Sequence, residues 1–230
     1  MASMTDARAR VPARSHRADP ISTAQVVAVA LQIVRAEGFD AVTMRRVAAA
    51  LDTGAASLYV HVRNKGALDD LMLGELSARI ELPSPDPRHW RQQIESVATQ
   101  LRDQYLQHPG IAQAAMAVVP TDPNTLRLNE GMLGILLAGG LSPRVAAWAI
   151  DAISLHVAAY ALERSIAQRR RPEELAWLAD PGAVAEYLEQ LPEDDFPLIR
   201  RHAGDLTSGD DHERFDFALD LMLSGLPHTT

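Results

Sequence analysis

The spacing of apolar residues along this chain is almost entirely helical. Apolar positions recur at intervals of three and four residues, and no stretch shows the sustained alternation of a half-buried strand. The first periodic segment runs to about Glu37 and opens with Ser22 and Gln25 at the spacing of a capping box. Gly38 then stands where a helix commonly ends in a left-handed residue. The pattern therefore predicts a helix with both of its ends marked.

Residues 43–65 form the most specific pattern in the sequence. Thr43 can cap a short amphipathic helix. Its apolar residues follow the helical interval and are Met44, Val47, Ala48 and Leu51. A tight turn at 52–54 leads to a second short helix over about 55–62. Two short helices joined in this way are typical of the helix-turn-helix, whose second helix enters the major groove of DNA.

Three prolines within residues 83–87 separate this head from the rest of the chain. Asn64 can cap a connecting helix that leads towards the break. Beyond it the periodicity predicts helices near 88–107, 110–118, 123–139, 143–170 and 212–225. Residues 172–211 are rich in Pro, Gly, Asp and Glu, and we expect a mobile excursion with two short helical patches there. The predicted division is a flexible basic arm at 1–20, a head at 21–82 and a larger helical body at 88–230.

The predicted helix at 143–170 is apolar on most of its sides. Such a helix must be buried on more than one face, and its many alanines permit close approach of a second helix. We therefore expect it to form a contact between two copies of the chain, the alternative being the central helix of a monomer. Asp151 and His156 lie near its middle, which disfavours a membrane span. The first twenty residues contain no apolar run, so we expect no secretory signal and a cytoplasmic protein.

Charge divides the chain more sharply than its net value of −8 indicates. Residues 1–65 carry a charge of +4 and the remainder carries −12. A basic head on an acidic body favours contact of the head alone with a polyanion such as DNA, although chance clustering is an alternative. The absence of cysteine excludes thiol catalysis and thiolate metal sites.

The stretch AVTMRRVAAALDTGAASLYVHVRNKGALDDLM resembles the DNA-binding region of the TetR family of transcriptional repressors. The match is carried by Leu58, Tyr59, His61, Val62, Lys65 and Leu68. Three later segments resemble the core of the tetracycline repressors in that family, namely HWRQQIESVATQLRDQYLQHPG, GLSPRVAAWAIDAISLHVAAYALERS and FDFALDLMLSGL. The resemblance implies an all-α homodimer with an N-terminal helix-turn-helix head of three helices and a larger ligand-binding and dimerisation domain. Its partners would be a double-stranded DNA operator and a small-molecule effector.

The pattern and the resemblance together point to nine DNA-contacting positions. These are Thr43, Arg45, Arg46, Ala55, Ser57, Tyr59, Val60, His61 and Lys65. Arg45 matches a family arginine that can read guanine, and Lys65 matches a phosphate contact at a helix start. Ala55 and Val60 stand where the tetracycline repressors have a glutamine and a tryptophan, so we expect a different operator. Asp52 replaces the usual glycine of the turn, which requires a left-handed aspartate.

The drug-binding positions of the tetracycline repressors are replaced in this chain. Their metal-binding histidine matches Ala115, and their pocket Asn, Phe and Gln match Val97, Leu101 and Gly131. Magnesium prefers oxygen ligands, so we expect no metal, no cofactor and a more apolar effector of unknown identity. The candidate wall residues and polar anchors are Val97, Leu101, Met116, Asn129, Met132, Leu136, Trp148, His156 and Tyr160. For His156, a role at an interface or in the core is the alternative.

Three other functions stay open at the level of the sequence. An enzyme is the least favoured, because the chain contains no HExxH, GxSxG, P-loop or GxGxxG motif. A DNA-binding protein with a filled, ligand-free body would share the same head. Finally, an activator and a repressor differ in where the operator lies relative to a promoter, which the protein sequence does not contain.

Overall fold

The computed structural model describes residues 21–117, 119–169, 180–209 and 212–226. The predicted arm at 1–20 and two parts of the predicted excursion, 172–179 and 210–211, lie outside these residues. The helices in chain order are α1 (Thr23–Glu37), α2 (Met44–Ala50), α3 (Ala55–Leu58), α4 (Lys65–Ser77), α5 (Trp90–Leu106), α6 (Ala112–Ala117), α7 (Pro123–Ala138), α8 (Pro143–Arg169), α9 (Pro181–Glu189), α10 (Pro197–Arg201), α11 (Ala203–Thr207) and α12 (Glu213–Ser224). A single 3-10 turn, Phe39–Ala41, follows α1. Within the described residues all regular structure is helical, so the prediction of an all-α fold is confirmed.

The caps predicted for the head are present. The Ser22 hydroxyl accepts a hydrogen bond from the Gln25 amide, and the Gln25 side chain accepts one from the Ser22 amide. Asn64 caps α4 by accepting from the Ala67 amide at 2.8 Å. These bonds satisfy amide groups that a helix N-terminus otherwise leaves unpaired. The helices then pack around buried apolar side chains, which include Val26, Val34, Val47, Leu58, Val62, Leu68 and Met72.

One predicted helix boundary is wrong, and a second is shifted by a glycine. The helix expected over 55–62 ends at Leu58, where the next residues form a turn and the Leu58 carbonyl accepts from both the His61 and the Val62 amides. The helix expected over 110–118 begins at Ala112, because Gly110 has a φ of 86° and cannot continue a helix. The other boundaries differ by one to three residues, within the usual fraying of helix ends.

The proline-rich connection between head and body is held by the first helix of the body. On α5, Nε2 of the Gln93 side chain donates to the Ser84 carbonyl at 2.7 Å. Two helical turns further along α5, the Gln100 side chain accepts a hydrogen bond from the Glu81 amide and donates one to the Glu81 carbonyl. Prolines cannot donate backbone hydrogen bonds. The two glutamine side chains of α5 supply hydrogen bonds that hold the connection against the body.

The body is built on α5, α7 and α8, with α6 and α12 packed against them. Trp90 is buried where α7 ends, and a side chain on Gly139 would come within 2.5 Å of its ring. One stretch of the described chain, Pro143–Ala167 in α8, is long and apolar enough by length and composition to span a membrane. In the structure α8 instead contacts α5, α6, α7 and α12, as the central helix of a globular domain does.

The described part of the excursion contains three helices rather than the two predicted. The helices α9, α10 and α11 contact one another. Each of the first two begins with a proline, which suits the first turn of a helix because no amide partner is needed there.

Candidate DNA interface and ligand cavity

The turn after α3 carries exposed side chains that do not pack against the rest of the head. Leu58 and Val62 are buried, whereas Tyr59 is 54% exposed and Val60 is 82% exposed. Ser57 is exposed beside them and His61 is partly exposed. A tyrosine and a valine held in water without covering contacts leave a surface that is available to a partner. Ala55, at the start of α3, is half-buried.

The two adjacent arginines of α2 have different environments. Arg46 forms an ion pair with Glu37 on α1, and the hydrogen bond that it donates to the Glu37 carboxylate raises the pKa of the guanidinium. Arg45 is exposed and makes no ion pair with any described residue. Thr43 caps α2, its hydroxyl accepting from the Arg46 amide at 3.0 Å. Of the two arginines predicted to contact DNA, the structure leaves Arg45 available and pairs Arg46 with Glu37 inside the head.

Lys65 has partners inside the head. Its ammonium group pairs with Asp69 one turn further along α4 and lies 4.0 Å from the centre of the Phe39 ring. Burial raises the pKa of the Asp69 carboxyl, and the hydrogen bond from Lys65 opposes that rise. Lys65 therefore joins α4 to the 3-10 turn as well as standing at the helix start. The nearby Asp52 has a φ of 50°, as its replacement of the turn glycine requires.

The helix α4 is bonded directly to the segment between α6 and α7. The Asp70 carboxylate accepts from both the amide and the hydroxyl of Thr121. One turn later, Gly74 lies against Asp122, whose side chain caps α7 through the Asn124 amide at 2.8 Å. These contacts place the last helix of the head against the loop that precedes α7.

A second junction joins α1 to the end of α5. The Phe39 amide donates to the Pro109 carbonyl at 2.9 Å. Beside it, His108 is fully buried, with Nδ1 2.7 Å from the Gln104 carbonyl oxygen and no described partner for Nε2. Burial lowers the pKa of His108, and the nearby charges of Arg79 and Arg35 lower it further. The hydrogen bond to the Gln104 carbonyl opposes this lowering of the pKa, and burial favours the neutral imidazole at the contact between head and body.

A cavity of about 410 Å³ lies in the body next to these junctions. Its walls come from α4, α5, α6, α7, α8 and the loop before α7. The lining residues are Leu73, Ser77, Leu101, Tyr105, Ala115, Met116, Val119, Pro120, Thr125, Leu128, Asn129, Met132, Ala147, Ile150, Asp151, Ser154, Leu155 and Ala158. The volume and the mostly apolar walls suit a small organic ligand.

The structure brings together four of the nine predicted ligand residues. Leu101, Met116, Asn129 and Met132 line the cavity. Val97 and Leu136 do not, because both are fully buried between helices and fill the core. Trp148, His156 and Tyr160 do not line it either.

The aromatic and histidine candidates of α8 serve the contact with α12. His156 stacks on Phe215 with ring centres 4.7 Å apart, and its Nε2 lies 3.2 Å from the Phe215 carbonyl oxygen. The Tyr160 hydroxyl lies 3.1 Å from Nδ1 of His212. Neither residue lines the cavity, and His156 packs against α12 of its own chain instead. Sequence reasoning had missed Tyr105, Asp151 and Ser154, although Tyr105 lies one helical turn after Leu101.

Trp148 borders a different feature, an apolar groove between α8 and α12. This groove of about 340 Å³ is lined by Val145, Trp148, Ala149, Ala152, Ile153, Met222 and Leu226. Trp148 itself is 66% exposed, and Leu155, Phe217 and Leu221 are exposed on the same two helices. An apolar surface of this size on one chain is typical of a contact with another protein. Among the described residues, no group of three or more His, Cys, Asp and Glu could hold a metal ion.

The helical head with its exposed turn, joined to a body with an internal cavity, defines a helix-turn-helix regulator with a ligand-binding domain. Residues 26–69 match the family described as bacterial regulatory proteins, tetR family. Residues 82–230 match the tetracyclin repressor-like C-terminal domain. The chain belongs to the TetR family, and the resemblance seen in the sequence is confirmed.

Individual relatives cover most of the chain. The HTH-type transcriptional repressor DrrR1 of Streptomyces coeruleorubidus is 33% identical over 88% of this chain and 76% of its own length. The class G tetracycline repressor protein of Vibrio anguillarum is 31% identical over 87% of this chain and 90% of its own. Among solved structures, Streptomyces coelicolor ActR in complex with actinorhodin is 36% identical, with a TM-score of 0.80, over 90% of this chain and 95% of that one.

These matches establish a transcriptional repressor of the TetR family with a ligand-binding C-terminal domain. The family and the relatives are transcriptional regulators and not enzymes, which confirms the expectation for this chain.

Proposed function

We propose that the chain acts in the cytoplasm as a homodimer that binds a palindromic operator and leaves it when a small, largely apolar molecule binds. The observation that carries this proposal is the set of uncommitted side chains around the turn after α3, in a head bonded to a cavity-containing body. Tyr59 and Val60 are exposed there, and Arg45 of α2 has no ion pair within the described residues.

The nine predicted DNA-contacting residues of the head differ in whether they already have a partner within the protein. Arg45, Ser57, Tyr59, Val60 and His61 are free to approach bases or phosphates. Arg46 and Lys65 can reach a phosphate only by exchanging or sharing the carboxylates of Glu37 and Asp69. Thr43 combines its cap with an exposed position, and Ala55 offers a methyl group alone. We therefore assign the main role in base recognition to Arg45, through the two acceptors of guanine.

The homodimer is supported by the apolar groove and the exposed side chains of α8 and α12. Trp148, Leu155, Phe217 and Leu221 would be covered by the same helices of a second copy. A two-fold dimer uses one surface patch on both protomers. It would also place two heads on one face of DNA, as a palindrome with half-sites about 34–36 Å apart requires.

The cavity reaches the head through one short segment. Val119 and Pro120 line the cavity, and Thr121, the next residue, is bonded to Asp70 of α4. A ligand that displaces this segment would shift α4 and change the separation of the two heads. Release of DNA then requires that the ligand bind the DNA-free arrangement more tightly than the DNA-bound one.

The nature of the effector is supported by the relatives and by the cavity walls. Structures of ActR are known in complex with actinorhodin and with (S)-DNPA. In this chain Ala115 and Gly131 stand at positions where the tetracycline repressors have metal-binding or drug-binding polar residues, and the cavity walls are mainly apolar. We therefore propose a ligand other than tetracycline with magnesium.

Selection of bound duplexes from a random DNA pool, at physiological salt, tests the proposal. A palindrome should be recovered, and Arg45→Ala should lose about 1–3 kcal/mol of discrimination at a single base position of each half-site. Tyr59→Ala should weaken binding to the recovered operator. Arg201→Ala, which removes an exposed arginine of α10, is the control and should leave both properties unchanged. Recovery of no common sequence by folded protein would refute the assignment.

A further inference from the structure

The described walls of the cavity contain one charged side chain, and it is acidic. Of the described residues that line it, Asp151 is the only ionisable group that carries a charge at neutral pH, and none is Arg, Lys or His. No described residue forms an ion pair with Asp151. Asp151 is exposed, so an anionic ligand would find no cationic partner in the cavity walls and would meet a modest repulsion from its carboxylate.

The wall of the same cavity contains a tyrosine whose hydroxyl has no hydrogen-bond partner among the described residues. Tyr105 is more than nine-tenths buried and lines the cavity, and its hydroxyl makes no hydrogen bond with any described residue. Burial raises the pKa of Tyr105, so the hydroxyl stays protonated and can donate. Unlike Nε2 of His108, the hydroxyl oxygen is not a buried atom without a partner, so it is accessible and can donate to an oxygen atom of a ligand in the cavity.

The other walls describe the body of such a ligand. Met116 and Met132 offer polarizable surfaces that pack well against aromatic rings. Asn129 and Ser154 have side chains with no described hydrogen bond, so they can pair with further polar substituents. A volume of about 410 Å³ accommodates a compact ring system.

From these observations we infer that the effector is a mainly apolar, ring-containing amine with at least one oxygen substituent. Its ammonium group faces Asp151, its rings lie between Leu101, Met116 and Met132, and its oxygen accepts from Tyr105. Carboxylates and phosphates of the same size should bind more weakly than the amine. This inference rests on the proposed function, because it takes the cavity to be the effector site.

Three probes with one ring system and different charges test the inference. We would titrate the purified protein at pH 7.5 with 9-anthracenemethylamine, 9-anthracenemethanol and 9-anthracenecarboxylate and follow anthracene fluorescence. A partly exposed ion pair gives a factor of up to about five, and repulsion of the carboxylate a similar factor. The ammonium should therefore bind about tenfold more tightly than the carboxylate, with the alcohol between them.

Variants assign the preference to particular residues. Asp151→Asn should bring the amine and the carboxylate to within about twofold of each other. Glu163→Gln, which neutralises an exposed carboxylate on the same helix, is the matched control and should keep the tenfold ratio. Tyr105→Phe should weaken the alcohol about fivefold, the usual effect of one lost hydrogen bond. Ser154→Phe should block all three probes by filling the cavity.

Several results would overturn the inference. They are equal or tighter binding of the carboxylate, binding of none of the probes, and loss of the charge preference in the Glu163 variant. Asp151 shares a face of α8 with Trp148 and Leu155, which we assign to the dimer contact. If Asp151→Asn dissociates the dimer but leaves the preference for the amine over the carboxylate unchanged, Asp151 belongs to the dimer contact and the inference is overturned. Failure of the proposed function gives a separate signature, in which the amine binds but operator affinity stays the same.

Discussion

Replacing Gly74 by alanine should break the contact between α4 and the start of α7. A Cβ atom at this position would overlap Cγ and Oδ1 of Asp122 and would lie 2.6 Å from Oδ2. The Asp122 side chain can escape only by rotating away from the Asn124 amide that it caps. Because Asp122 is buried, its carboxylate would also leave its one capping partner in a poorly hydrated place.

The magnitudes of these effects favour destabilisation. Alanine gains about 1 kcal/mol over glycine inside a helix. Loss of an N-cap costs about 1 kcal/mol, and forcing extra volume into a packed contact costs about 1–3 kcal/mol. We therefore expect Gly74→Ala to lower the free energy of unfolding by about 1–3 kcal/mol, although the same change in an open helix would raise it.

Urea unfolding followed by circular dichroism measures this difference. Gly66→Ala is the matched control on α4, because a Cβ atom there meets only Asn64 Oδ1 at 3.5 Å, an ordinary contact. Its stability should stay equal or rise by up to about 1 kcal/mol. In an Asp122→Ala background the obstacle is absent, so Gly74→Ala should become neutral or stabilising. A double-mutant cycle then isolates the contact.

Two outcomes would refute the reasoning. One is a Gly74→Ala variant that is as stable as the Gly66→Ala control. The other is a destabilisation by Gly74→Ala that is the same with and without Asp122, because the cost would then arise from another contact of α4.

Two further predictions concern the dimer and the junction between head and body. Trp148→Glu should convert the dimer to a folded monomer at about micromolar concentration, because it places a charge in an apolar interface; sedimentation velocity that still shows a dimer would contradict the assignment. Since burial lowers the pKa of His108 below 6.5, unfolded chains bind its proton first. Stability should therefore be full above pH 6.5 and decline as the pH falls, and His108→Leu should reduce that decline in urea unfolding.

The ligand residues show where sequence reasoning stops. Val97 and Leu101 lie four residues apart on α5 and are both apolar, yet Val97 fills the core and Leu101 lines the cavity. Periodicity identifies the buried face of a helix, but it does not say which part of that face meets another helix and which part meets a cavity. Tyr105 was missed for the same reason, since a buried tyrosine usually belongs to a core.

The two arginines of α2 show that the partners of surface residues also depend on the tertiary structure. Arg45 and Arg46 are adjacent in sequence and both were expected to reach DNA. Only the packing of α1 beside α2 brings Glu37 to Arg46 and leaves Arg45 without an ion pair among the described residues. The partners of Lys65 likewise combine a neighbour on its own helix, Asp69, with Phe39 from a segment far along the chain.

The sequence alone determined the helical class, the caps of the head and the left-handed Asp52. Each of these depends on residues within about four positions of one another, the range over which backbone hydrogen bonds and side-chain caps act. The tertiary structure alone decided the walls and charge of the cavity, the pairing of Asp70 with Thr121 and the position of Trp148 on an open groove. Those features depend on which helices meet, and packing fixes that between segments far apart in the chain.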